Sequence, residues 1–117
     1  MTYLDGFVIA VPDANRQAFI DHASSLDPIF VGLGATRVVE AWEDDVPDGK
    51  RTDFRRAVAG EPGERVVFSW IEWPDKAARD AGWARMMAEN LMGDEPMPFD
   101  GARIVYGGFT PVVEIGS

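Results

Sequence analysis

The chain has one histidine, His22, which stands between Phe19 and Leu26 at helical spacing on the border of an apolar stripe. An imidazole there has the chemistry of a general base, or of an axial haem ligand, opening onto a pocket between helix and sheet. The plainer account is a boundary histidine with one nitrogen satisfied, and nothing else marks a propionate site. Glu72 shares a strand face with Trp70 and would supply a second acid or base. Trp70, Trp73 and Trp83, with Met86 and Met87, are enough to line an apolar cavity for a planar molecule. The Met97-Pro98-Phe99 loop could serve that cavity as a lid, or only pack its end. Core and subunit interface use the same residue types, so the aromatic set carries both readings. The candidates are therefore His22 and Glu72 for proton transfer, and Trp70, Trp83, Met87 and Phe99 for a small-molecule pocket.

Other spacings fail on inspection. Counted from Asp44 as a calcium loop, the third position is Val46 and the twelfth is Arg55, where oxygen ligands are required. A solvated acidic loop that caps a dimer edge is the better account of residues 43–54. Gly32-Leu33-Gly34 follows a helix and lacks the third glycine of a dinucleotide fingerprint. Gly49-Lys50-Arg51 lacks the upstream glycine and following hydroxyl of a phosphate loop. Neither a metal nor another cofactor is expected.

The elements that must position these side chains are legible in outline. Residues 3–11 are rich in aromatic and β-branched types and stop at Pro12, which predicts a strand. Asp13 is placed to cap the helix that follows, where Phe19, Ala23, Leu26 and Phe30 recur at helical spacing. Pro28 lacks an amide hydrogen and clashes with the preceding turn, so a broken or kinked helix is expected. Residues 35–42 form a second strand, and residues 43–54 a polar excursion too long for a hairpin turn, followed by one helical turn within 53–58. Residues 65–73 are the clearest strand. Asp75 caps a second long helix with Trp83, Met87 and Leu91 on one face, Gly93 stops it, and residues 103–115 give a last strand bent at Gly107-Gly108.

That order is βαββαβ, the ferredoxin-like unit of two helices on one face of a four-stranded antiparallel sheet, an α+β fold. Such a sheet should alternate apolar inward with polar outward. These strands are apolar on both faces: Val66, Phe68 and Trp70 oppose Val67, Ile71 and Trp73, and Leu4, Val8 and Ala10 oppose Tyr3, Phe7, Ile9 and Val11. Two helices cover one face only. A second copy packed sheet to sheet about a two-fold axis covers the other, so a homodimer is expected.

The 117 residues suit a single domain (1–117), and 46% hydrophobic against 26% charged side chains is ordinary globular usage. Twenty acidic against 11 basic residues give a net charge of −9, which makes nucleic acid an unsuitable partner. Without cysteine there is no disulfide or thiolate chemistry. No signal peptide is read at the start, and no apolar run reaches the ~18 residues of a membrane helix. A soluble cytoplasmic protein is expected.

Asp5-Gly6-Phe7, Asp44-Asp45-Val46-Pro47 with Gly49-Lys50 and Thr52, Val66-Val67-Phe68-Ser69-Trp70 with Pro74, and Met97-Pro98-Phe99-Asp100-Gly101 leading to Arg103 and Tyr106-Gly107-Gly108-Phe109 follow one another in order. Together they resemble the YbaA-like family, small bacterial proteins defined as a domain of unknown function, over nearly the whole chain. The resemblance implies the dimeric α/β-barrel superfamily, in which two ferredoxin-like protomers pair through their sheets. It brings no catalytic residues, and the chain departs from it at Pro28. Superfamily relatives include cofactor-independent monooxygenases, haem-handling enzymes and small isomerases, and shared fold is weak evidence for shared chemistry. Three functions are carried forward: binding of a small apolar or aromatic metabolite between helices and sheet, cofactor-independent oxygenation or isomerisation with His22 or Glu72 moving the proton, and a non-catalytic interaction protein.

Overall fold

A computed structural model describes residues 2–116. Its elements are β1 (Tyr3–Pro12), α1 (Arg16–Gly32), β2 (Arg37–Trp42), α2 (Phe54–Ala57), β3 (Glu64–Trp73), α3 (Lys76–Ala88) and β4 (Val105–Phe109). The strands lie in the order β2-β3-β1-β4 and every neighbouring pair is antiparallel, the α+β ferredoxin-like arrangement expected. The central pair is long, with both strands rich in β-branched and aromatic residues and Tyr3 opposite Trp73 at one end and Pro12 opposite Glu64 at the other.

The helices cover one face. Tyr3, Ile71 and Trp73 pack there with Phe30 of α1 and Met86 of α3. Ile9, Val11 and Val67 pack with Phe19 and Ala23 of α1. On the opposite face Ala10 and Val66 are sealed by Val58, which follows α2. The ring of Phe54 stands edge-on to Phe68 at 5.9 Å. The polar excursion thus folds back over one end of the open face. Glu43 fastens its start, accepting from the Val66 amide at 2.6 Å and pairing with Arg55. Beyond that end, Phe68, Val105 and Phe109 remain exposed around a hollow of about 460 Å³ floored by Leu4, Gly6 and Val8.

Three local expectations are corrected. α1 is continuous from Arg16 to Gly32 with Pro28 inside it, so the lost amide bond is tolerated where both flanking turns are packed. Asp13 does not cap α1; it sits in a 3-10 turn and its carboxylate accepts from Arg65 at 3.3 Å. Asn15 occupies the cap position and instead donates to the Pro98 carbonyl at 3.0 Å, tying the start of α1 to the Met97-Pro98-Phe99 loop. β4 ends at Phe109, because Pro111 cannot supply a ladder amide, and residues 110–116 lie outside the sheet. By contrast Asp75 caps α3 at the Ala78 amide and Asp53 caps α2 at the Arg56 amide, as their types predict.

Candidate functional site

α1 presents Phe19, Ala23 and Phe30 to the core, and Asp27, four residues after Ala23, falls on the same stripe. β2 turns Val38, Glu40 and Trp42 toward α1 by strict alternation. Two carboxyl groups therefore meet between helix and sheet. Oε2 of Glu40 is buried and has no donor unless Asp27 carries a proton. Burial, and then the neighbouring Glu40 charge and hydrogen bond, push the Asp27 carboxyl up to about 8. At neutral pH Asp27 accordingly keeps its proton beside Glu40. Among the described residues neither side chain has a basic partner.

The pair stands in the wall between two hollows. One is a cavity of about 110 Å³ enclosed by α1, α3 and the sheet, lined by Phe7, Phe19, His22, Leu26, Trp83 and Phe99, with Ser69 on its floor. The other is a groove of about 780 Å³ between α1 and β2, lined by Ile20, Pro28, Val31 and Trp42. Phe19, Ala23, Asp27, Val38 and Glu40 border both. At one end of the groove the Arg16 guanidinium lies 5.5 Å over the Trp42 ring.

The residues singled out from sequence divide between the two faces of the sheet. His22, Trp83 and Phe99 line the cavity, His22 meeting the Phe99 ring edge-on at 6.0 Å and Phe99 packing on Phe19 at 5.9 Å. Trp70 and Glu72 lie on the open face, where the Trp70 indole donates to Glu72 at 2.9 Å and Arg37 approaches the same carboxylate at 3.8 Å. Met87 is 70% exposed and borders neither hollow; its neighbour Met86 is the buried one. Glu72 and His22 thus cannot act on one molecule within a single protomer.

Asp27 and Glu40 were missed. Their signal was positional: each is an acid at an inward register position of an otherwise apolar stripe. Asp5, also missed, is 3% exposed. Its Oδ1 accepts from Arg79 Nε and Nη2 at 3.0 and 2.9 Å, and its Oδ2 from the indoles of Trp73 and Trp83 at 2.9 and 2.8 Å. Four donors leave no lone pair for a ligand, so Asp5 joins β1, β3 and α3 and holds the Trp83 wall in place.

A family model described as a protein of unknown function (DUF1428) matches residues 2–101. The chain belongs to the DUF1428 family. It is 51% identical over 116 residues to the uncharacterized protein YbaA of Escherichia coli K12, across 97% of this chain and 99% of that one. The same identity and coverage hold for YbaA of Shigella flexneri. Two solved structures share the fold of this DUF1428 protein, both described as dimeric ferredoxin-like proteins from an uncultured marine organism. One has a TM-score of 0.62 at 15% identity, covering 98% of this chain and all of its own. The other has a TM-score of 0.66 at 10% identity, covering both chains fully. No helix among the described residues is long and apolar enough to cross a membrane.

Proposed function

We propose that this DUF1428 protein is a homodimer paired through its open sheet face, and that each protomer binds a small apolar or aromatic molecule between α1, α3 and the sheet. Pairing is supported by the exposed Phe68, Val105 and Phe109 around an apolar hollow, a surface that one isologous contact covers on both copies at once. The two solved neighbours of this fold are themselves described as dimeric. Trp70 and Glu72 then belong to the contact between copies, and their indole–carboxylate bond orders that surface.

Ligand binding rests on one observation: the Asp27–Glu40 pair is set between an apolar cavity and an open groove of mixed lining. A plain core would not keep two acids there without a cation, whereas a binding site uses a few converging polar groups to orient an apolar ligand. His22 and Phe99 close one side of the cavity, and the bond from Asn15 to Pro98 holds that loop down. The acid pair also favours proton-transfer chemistry over oxygenation as the catalytic alternative. Native mass spectrometry of freshly purified protein, beside denaturing spectra, tests both parts. A complex of two 12.9 kDa chains carrying a discrete non-covalent mass is expected. A bare dimer that takes up no planar apolar compound would remove the ligand site and favour an interaction protein, and a clean monomer would remove the pairing.

A further inference from the structure

The helix-facing side of β3 carries Val67, Ile71 and Trp73, each at most 3% exposed. Ser69 stands in the same alternation and is buried to the same degree. Its neighbours across the ladder are Phe7 on β1 and Glu40 on β2. A serine is shorter than the valine and isoleucine beside it, and over it lies the cavity of about 110 Å³. Among the described residues its hydroxyl makes no hydrogen bond. A hydroxyl withdrawn from water without a partner is unfavourable, and a short side chain under a hollow forgoes packing. A molecule that fills the cavity and meets the hydroxyl removes both penalties at once.

The cavity also limits what that molecule is. Phe7, Leu26, Trp83 and Phe99 give it apolar walls, and no lysine or arginine borders it. Asp27 and Glu40 do border it, which excludes an anion, and Glu40 Oε2 is sealed within the wall out of a ligand's reach. An apolar cavity of about 150 Å³ takes up benzene, so this one suits about four or five non-hydrogen atoms. We infer that Ser69 determines the specificity of the site proposed above, its hydroxyl bonding the one oxygen of a short, branched, neutral alcohol or carbonyl compound whose carbon skeleton fills the cavity. The inference rests on that binding site. A serine hydroxyl both donates and accepts, so it satisfies either kind of oxygen.

The test compares isobutanol with isobutyl chloride, which has the same carbon skeleton and no hydroxyl. Methyl NMR of the full chain reads binding through shifts at Ile9, Ile71 and Met97, which line the cavity. Both compounds are expected to bind the native protein. Ser69→Ala removes the hydroxyl and should weaken isobutanol about 10-fold relative to isobutyl chloride. Ser69→Val fills the floor and should exclude both compounds while the spectrum stays folded. An unchanged ratio of affinities in Ser69→Ala overturns the role of the hydroxyl and leaves the binding site standing. Binding of neither compound to the native protein overturns both. Shifts that persist at full size in Ser69→Val place the probes outside the cavity, and that also overturns both.

Discussion

Asp27 is a helical acid whose burial beside Glu40 raises its carboxyl from 3.8 to about 8. A raised value in the folded state means that the folded chain holds a proton which the unfolded chain releases. The contribution to stability is therefore full below pH 3.8 and is lost progressively as pH rises toward about 8. Asp27→Asn removes this slope. Thermal melts should show the variant and the native protein close at about pH 5, with the variant ahead by about 1–2 kcal/mol at about pH 9, a figure discounted for partial solvent access. Equal pH dependence of the two would deny the retained proton. Asp5 answers the same substitution differently. Asp5→Asn turns an NH2 group toward the donors of Arg79, Trp73 or Trp83, and should cost about 3 kcal/mol in urea unfolding. At this scale the sequence was only partly legible. His22, Trp83 and Phe99 are recognisable by type as cavity walls. Asp27 and Glu40 are unremarkable by type and become visible only when the register of α1 and β2 is laid side by side, which requires the tertiary contact.

Among the elements, the strands and helices follow from periodicity and capping, and the two main errors have one cause. Proline was read as a local stop at Pro28 and was not read as one at Pro111. At Pro28 the packing of Phe19, Ala23 and Phe30 on the sheet carries α1 through the missing bond. At Pro111 no neighbouring strand holds the chain beyond Phe109. Pro28→Ala restores an amide toward the Ser24 carbonyl and should raise stability by about 1 kcal/mol, measured by urea denaturation. α3 has a tighter constraint that composition does not show. A Cβ at Gly82 would lie 2.6 and 2.7 Å from Trp73 ring atoms, and that indole is fully buried and bonded to Asp5. Gly82→Ala should therefore cost about 1–3 kcal/mol and disturb the near-ultraviolet dichroism of the tryptophans.

For the whole molecule, the apolar content of both sheet faces was legible because strand alternation needs no tertiary knowledge, and Phe68, Val105 and Phe109 are indeed left exposed. Which tryptophan belonged to which face mattered more. Trp70 and Trp83 lie on opposite sides of the sheet, so a single pocket built from both is not available to one protomer. Phe68→Glu puts a charge in the middle of the open face and should convert a dimer to monomer in sedimentation velocity at micromolar concentration, with little change in the α1 site. An unchanged sedimentation coefficient would place the contact elsewhere. The most direct measurement concerns the acid pair on which the binding proposal depends. Carbon-13 carboxyl NMR across a pH titration should find one aspartate that keeps its proton at pH 7, titrates near pH 8 and disappears in Asp27→Asn. Titration of every carboxyl in the ordinary range below about pH 5 would contradict it.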